Sequence, residues 1–184
     1  MDLAATFLAR SRYYLTNEYP TKLRAAVEAL PADVLWHRAN AQSNSVGNLL
    51  VHLSGNVRQW IVSGVGGSPN RRDRAAEFAQ ERGAAAAQLL ADLQHTLEEA
   101  DEVLARLTAA DLGSARTIQG RDTTVLEAVY HVVEHFALHL GQIILVAKAH
   151  APGAVQFYED AGGLAVPLWP SLARQSGGEK AAGS

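Results

Sequence analysis

Three histidines recur at intervals of four residues near the end of the chain, His131, His135 and His139, within a segment that is otherwise mostly apolar. Residues four apart on a helix stand one above the other, so neighbouring members of such a ladder can reach one ion. At roughly 100° per residue, His139 lies about 80° from the centre of the segment's apolar stripe, His135 about 120° and His131 about 160°. The ladder drifts outward, which favours His135 and His139 as the inward-facing pair. Two imidazoles hold a metal weakly, and zinc sites with an open position normally take three protein ligands. His52 sits in the middle of a second strongly amphipathic segment, on the shoulder of its stripe beside Ser45, Leu49 and Asn56. His37, His95 and His150 are worse placed, in a loop, on an alanine-rich exposed helix and at a helix end. Burying three imidazoles with no shared partner is costly, and a shared cation removes that cost.

A rival motif overlaps the ladder. His131-Val132-Val133-Glu134-His135 matches the inverted zincin pattern H-x-x-E-H, with Glu134 as its base. The same wheel puts Glu134 about 180° away, on the outer face with His131. The chain also lacks the strand patterns that such protease domains need. No other residue stands out as a general base.

Composition limits the alternatives. The chain has 184 residues, no cysteine, seven histidines and a net charge of −3. Without cysteine there is no disulfide framework, thiolate zinc site, iron–sulfur cluster or cysteine nucleophile, so a metal must be held by His, Asp, Glu or amide groups. The charge balance gives no footprint for nucleic acid or an anionic membrane. Met1 to Arg12 carries Asp2 and no apolar run suited to a secretory signal, and no run of about eighteen apolar residues could span a bilayer. A cytoplasmic protein is expected.

The elements that must position these histidines are helical throughout, because apolar residues recur at steps of three and four with no sustained alternation. A first segment spans about Leu3 to Leu30, with a kink or interruption expected at Pro20. The second, Val46 to about Val62, is capped at Asn44 or Ser45 and ended by Gly64, Gly66 and Gly67. A third, from about Arg72 to Leu107, is predicted as one long, partly exposed helix. A turn around Gly113 to Gly120 leads to a fourth, capped at Thr123 or Thr124 and running to about Ala149. The expectation is an all-α, up-down four-helix bundle forming a single domain over residues 1–172. Phe157, Tyr158, Leu164, Leu168 and Trp169 are expected to pack a C-terminal extension on the bundle, followed by a tail over residues 173–184.

The run from Asn44 to Ile61 and the run Glu134-His135-Phe136-Ala137-Leu138-His139-Leu140-Gly141-Gln142-Ile143 resemble the DinB/YfiT-like metalloenzyme superfamily. The resemblance covers about 170 residues, Leu3 to Leu172, and is closest to an uncharacterised bacterial group within the superfamily. It implies an up-down-down-up helical bundle, commonly a homodimer, with one metal-binding histidine on the second helix and two, four apart, on the last. Position by position that gives His52, His135 and His139. The resemblance also implies a divalent transition metal, nickel, zinc, iron or manganese, and for some relatives a low-molecular-weight thiol. With no cysteine in the chain, any thiol must come with the substrate.

These features lead to an expected metal-dependent enzyme acting on a small molecule, a thiol-dependent transferase or a hydrolase, with an open coordination position. The alternative is a dimeric helical module that holds a metal or ligand without turnover. Asn56, Gln142 and His131 lie near the same helix faces and are the candidates to orient water or substrate.

Overall fold

The computed structural model describes residues 2–170, and within them the chain is mostly helical. The expected tail, residues 173–184, lies outside that range, as does the expected domain boundary at Leu172. Helix α1 (Leu3–Tyr13) continues through a π-helical turn, Tyr14–Glu18, into α2 (Tyr19–Glu28). Pro20 was expected to kink or interrupt this segment. The α-helical geometry is interrupted just before it by the π-helical turn, and Pro20 falls at the start of α2, where the wider turn accommodates the missing N–H and the chain stays helical.

Helix α3 (Val46–Val57) begins at a reciprocal cap between Ser45 and Asn48, and its end widens into a π-helical stretch, Arg58–Val65. Its apolar residues Leu49, Leu50, Leu53 and Val57 are buried as the spacing requires. The long third helix does not form. Asp73 caps a short α4 (Arg74–Ala79), the backbone leaves the helix at Gln80, and α5 starts afresh at Ala86 and runs to Ala105. Side chains from elsewhere end α4: Asn48 donates to the carbonyls of Glu77 and Gln80, and Arg38 to those of Phe78 and Gln80. Those tertiary hydrogen bonds outweigh the few tenths of a kcal/mol per residue that alanine propensity offers.

A short α6 (Ala109–Leu112) precedes a hairpin of β1 (Ala115–Ile118) and β2 (Arg121–Thr124), paired antiparallel with Ile118 opposite Arg121. The all-helical expectation missed it because four-residue strands are too short to show alternation. Its two-residue turn uses Gln119 and Gly120, both at positive φ, the geometry that matches strand twist. Ile118 is buried against Gly64 at the end of the α3 stretch, where a Cβ would stand 2.5 Å from its Cδ1.

Helix α7 (Val125–His150) starts at a reciprocal cap between Thr124 and Glu127. It is long and apolar enough to cross a bilayer by composition. Its buried stripe, Val125, Val129, Val132, Phe136, Leu140 and Ile143, packs on α2 and α3 as that of a core helix. After α7, the chain forms a second hairpin, β3 (Tyr158–Asp160) with β4 (Ala165–Pro167). Phe157 and Trp169 are buried as expected, but Leu164 is exposed and Tyr158 is half-exposed because they belong to this hairpin. Lys22 ties it to α2, donating to Glu18 at 2.6 Å and to the Tyr158 hydroxyl at 2.8 Å.

Candidate metal centre

Helices α3 and α7 face each other so that His52, His135 and His139 meet. One ring nitrogen from each lies within 4.8 Å of the other two. His52 Nε2 and His135 Nε2 are 2.9 Å apart. His52 is buried, and the other two are half-buried. Nitrogens around a tetrahedral zinc stand about 3.3 Å apart given bonds of about 2.0–2.1 Å, so His52 and His135 are within a few tenths of an ångström of that spacing, while a separation at the 4.8 Å bound of the set would close by about 1.5 Å on binding.

The protonation states suit a cation. Burial, together with the charge that His139, His52 and His131 would carry, pushes His135 down to about 3. Burial also lowers His139, partly opposed by its bond to Gln142. Both imidazoles are therefore neutral near pH 7, with lone pairs to offer. His139 Nδ1 lies 2.8 Å from Gln142 Oε1, an acceptor that leaves Nε2 of His139 for the centre.

Two residues that the sequence did not single out complete the surroundings of His52. Glu77 Oε2 is 2.8 Å from His52 Nδ1, and Arg72 grips the same carboxylate through Nε to Oε1 at 2.6 Å and Nη2 to Oε2 at 2.8 Å. The Arg72 and Glu77 side chains are only 5% and 7% exposed. Burial alone would raise the Glu77 carboxyl, but the Arg72 and His52 hydrogen bonds outweigh it and hold it below its ordinary value. Phe78 closes another side, its ring centroid 4.6 Å from that of His52. The available sequence signal was Gly55, a glycine inside a strongly helical pattern, which marks a close approach.

Asn56 and His131 form a neighbouring pair. Asn56 Nδ2 donates to His131 Nε2 at 3.3 Å, and the His131 ring packs on Trp60 with centroids 4.2 Å apart. His131 thus points less outward than the wheel predicts, because the π-helical end of α3 covers that side of α7. Burial lowers its pKa as well. Glu134 is exposed, as the wheel requires, and takes no place beside the histidines. His95 is exposed, and His37 and His150 approach each other elsewhere.

A family model for proteins of unknown function, DUF1572, matches residues 2–156. The chain belongs to the DUF1572 family. No curated protein matches the DUF1572 chain. Among solved structures it is similar to a DinB-like protein from Bacillus cereus ATCC 10987, with a TM-score of 0.62 and 18% identity over 83% of this chain and 99% of that one. At that identity the likeness establishes a DinB-like fold.

Proposed function

We propose that this DUF1572 chain is a metal-dependent enzyme of the DinB-like type, holding one divalent transition metal through His52, His135 and His139. The observation that carries the reading is the convergence of three imidazole nitrogens within 4.8 Å between α3 and α7. Nitrogen donors of this kind suit nickel, zinc, iron or manganese, with availability selecting among them. A cation there supplies Lewis acidity, with a position left open because the protein offers three ligands. The chain's own residues do the rest: Gln142 orients His139, and Asn56 on α3 and His131, one helical turn before His135 on α7, offer polar atoms beside the centre.

The proposed chemistry is transfer to or from a low-molecular-weight thiol, or hydrolysis, on a small-molecule substrate. With no cysteine in the chain, any thiol in that chemistry comes with the substrate. The competing reading, a module that binds a metal without turnover, is favoured by one observation: both Glu77 oxygens are engaged and Glu134 is exposed, which leaves no free carboxylate beside the histidines among the described residues. Turnover with thiol donors and activated esters separates the two.

The proposed architecture is an up-down four-helix bundle forming one domain, with a cytoplasmic location and a homodimeric state. Leu126, Tyr130, Leu138 and Leu145 leave an exposed apolar stripe on α7 that supports self-association. Sedimentation of wild type and Tyr130→Glu tests the dimer, which should dissociate in the variant. Metal content after chelator-free purification tests the centre. About one equivalent in wild type and under about a tenth in His135→Ala is expected, and equal trace amounts in both would refute it.

A further inference from the structure

We infer that Glu77 is a positioning residue for His52, and that the excursion of the chain through α4 serves to place it. The inference deepens the metal reading and rests on it for its affinity arm. An ionised carboxylate can only accept hydrogen bonds. At 2.8 Å from Glu77 Oε2, His52 Nδ1 must therefore carry the proton, and a neutral His52 then presents a bare Nε2. That nitrogen is the one facing His135. Arg72 Nη2 also lies 3.0 Å from His52 Nδ1 and has a second hydrogen besides the one it gives to Oε2. Accepting that hydrogen would leave a bare Nδ1 facing the carboxylate lone pairs at 2.8 Å with no proton between them, so the closer Glu77 contact decides the tautomer. Without Glu77 the ring is free to take the other tautomer, with a hydrogen pointed where an ion belongs.

The supports for this carboxylate come from four parts of the chain. Arg72 holds it as a two-point fork and is itself bound at 2.9 Å by Gln59 Oε1, which also accepts from Gln119 at the tip of the first hairpin. Asn48, one helical turn before His52, anchors the backbone of Glu77 itself through its carbonyl at 3.0 Å. Gly55, three residues after His52, leaves the space through which the carboxylate passes; a Cβ there would lie 2.9 Å from Arg72 Nε and would collide with Glu77 Oε1. A buried carboxylate is retained only when paired, and here Arg72 neutralises it, so the Arg72–Glu77 pair adds no net charge beside the histidines.

The test uses the full chain labelled with nitrogen-15 in histidine. In metal-free wild type, ring correlations should show His52 as the Nδ1–H tautomer; an Nε2–H tautomer overturns the inference whether or not the protein binds metal. Zinc titrated into Glu77→Leu should bind about 10- to 100-fold more weakly than to wild type, and Glu77→Gln, which keeps an acceptor oxygen, should recover most of that loss. Equal zinc affinity in wild type and Glu77→Leu overturns the inference. Loss in both Glu77→Leu and Glu77→Gln, with the His52 tautomer unchanged, also overturns it and leaves a purely structural role. Wild type that binds no zinc refutes the metal reading, while the tautomer result still decides the role of Glu77.

Discussion

His52 and Glu77 lie 25 positions apart in sequence and 2.8 Å apart in space, and the contact binds a nitrogen of α3 to a carboxylate of a short helix that sequence periodicity does not show. Through it, the polar surroundings of the histidine centre reach Arg72, Gln59 and the tip of the first hairpin.

Replacing Gly55 by alanine should damage the centre without touching any histidine. Alanine gains up to about 1 kcal/mol of helix propensity over glycine. Against that, a Cβ at position 55 has no room beside the buried Glu77 carboxylate and Arg72 fork, and overpacking costs about 1–3 kcal/mol. The expected result is a net loss of stability in urea and a fall in zinc affinity of about tenfold by calorimetry. A more stable Gly55→Ala protein with unchanged affinity would contradict the packing described for Glu77.

The metal-free protein should lose stability as the medium is acidified. His135 titrates near 6.5 when unfolded and is pushed down to about 3 when folded. Above that unfolded value neither state takes a proton there, so the stability is fully present. Below it the unfolded chain binds a proton that the folded protein refuses, and stability falls until the folded value is reached. One such proton gives a slope of up to about 1.4 kcal/mol per pH unit. Denaturant titrations with chelator present should show this decline, and His135→Gln should flatten it. A wild-type curve as flat as that of the variant would refute buried neutral His135.

Two helices of the site were legible because their signals are local. Ser45 and Thr124 cap α3 and α7, and the buried stripes on both follow the apolar spacing. That was enough to bring His52, His135 and His139 to one place. Glu77 and Arg72 were not legible because their burial depends on α4 folding over α3, which is set by Asn48 and by Arg38, some forty residues from the carbonyls it holds. His131 was misjudged for a related reason: Trp60 covers it from the widened end of α3, a neighbour that a helical wheel does not include.

Metal should also stabilise the fold. A ligand present at about one hundred times its dissociation constant adds about 2.7 kcal/mol to a folded state that alone binds it. Thermal unfolding should therefore move up with zinc or nickel and back down with chelator in wild type, and should not respond in His52→Ala. Unfolding that ignores both metal and chelator would leave the histidines as ordinary buried polar groups.

The most direct measurement of the centre is anomalous scattering from crystals loaded with zinc or nickel, recorded at the metal's own absorption edge. One strong peak is expected between α3 and α7, about 2.0–2.2 Å from a ring nitrogen of each of His52, His135 and His139. A loaded crystal with no peak there, or with its metal held by other side chains, would contradict a centre built on these histidines.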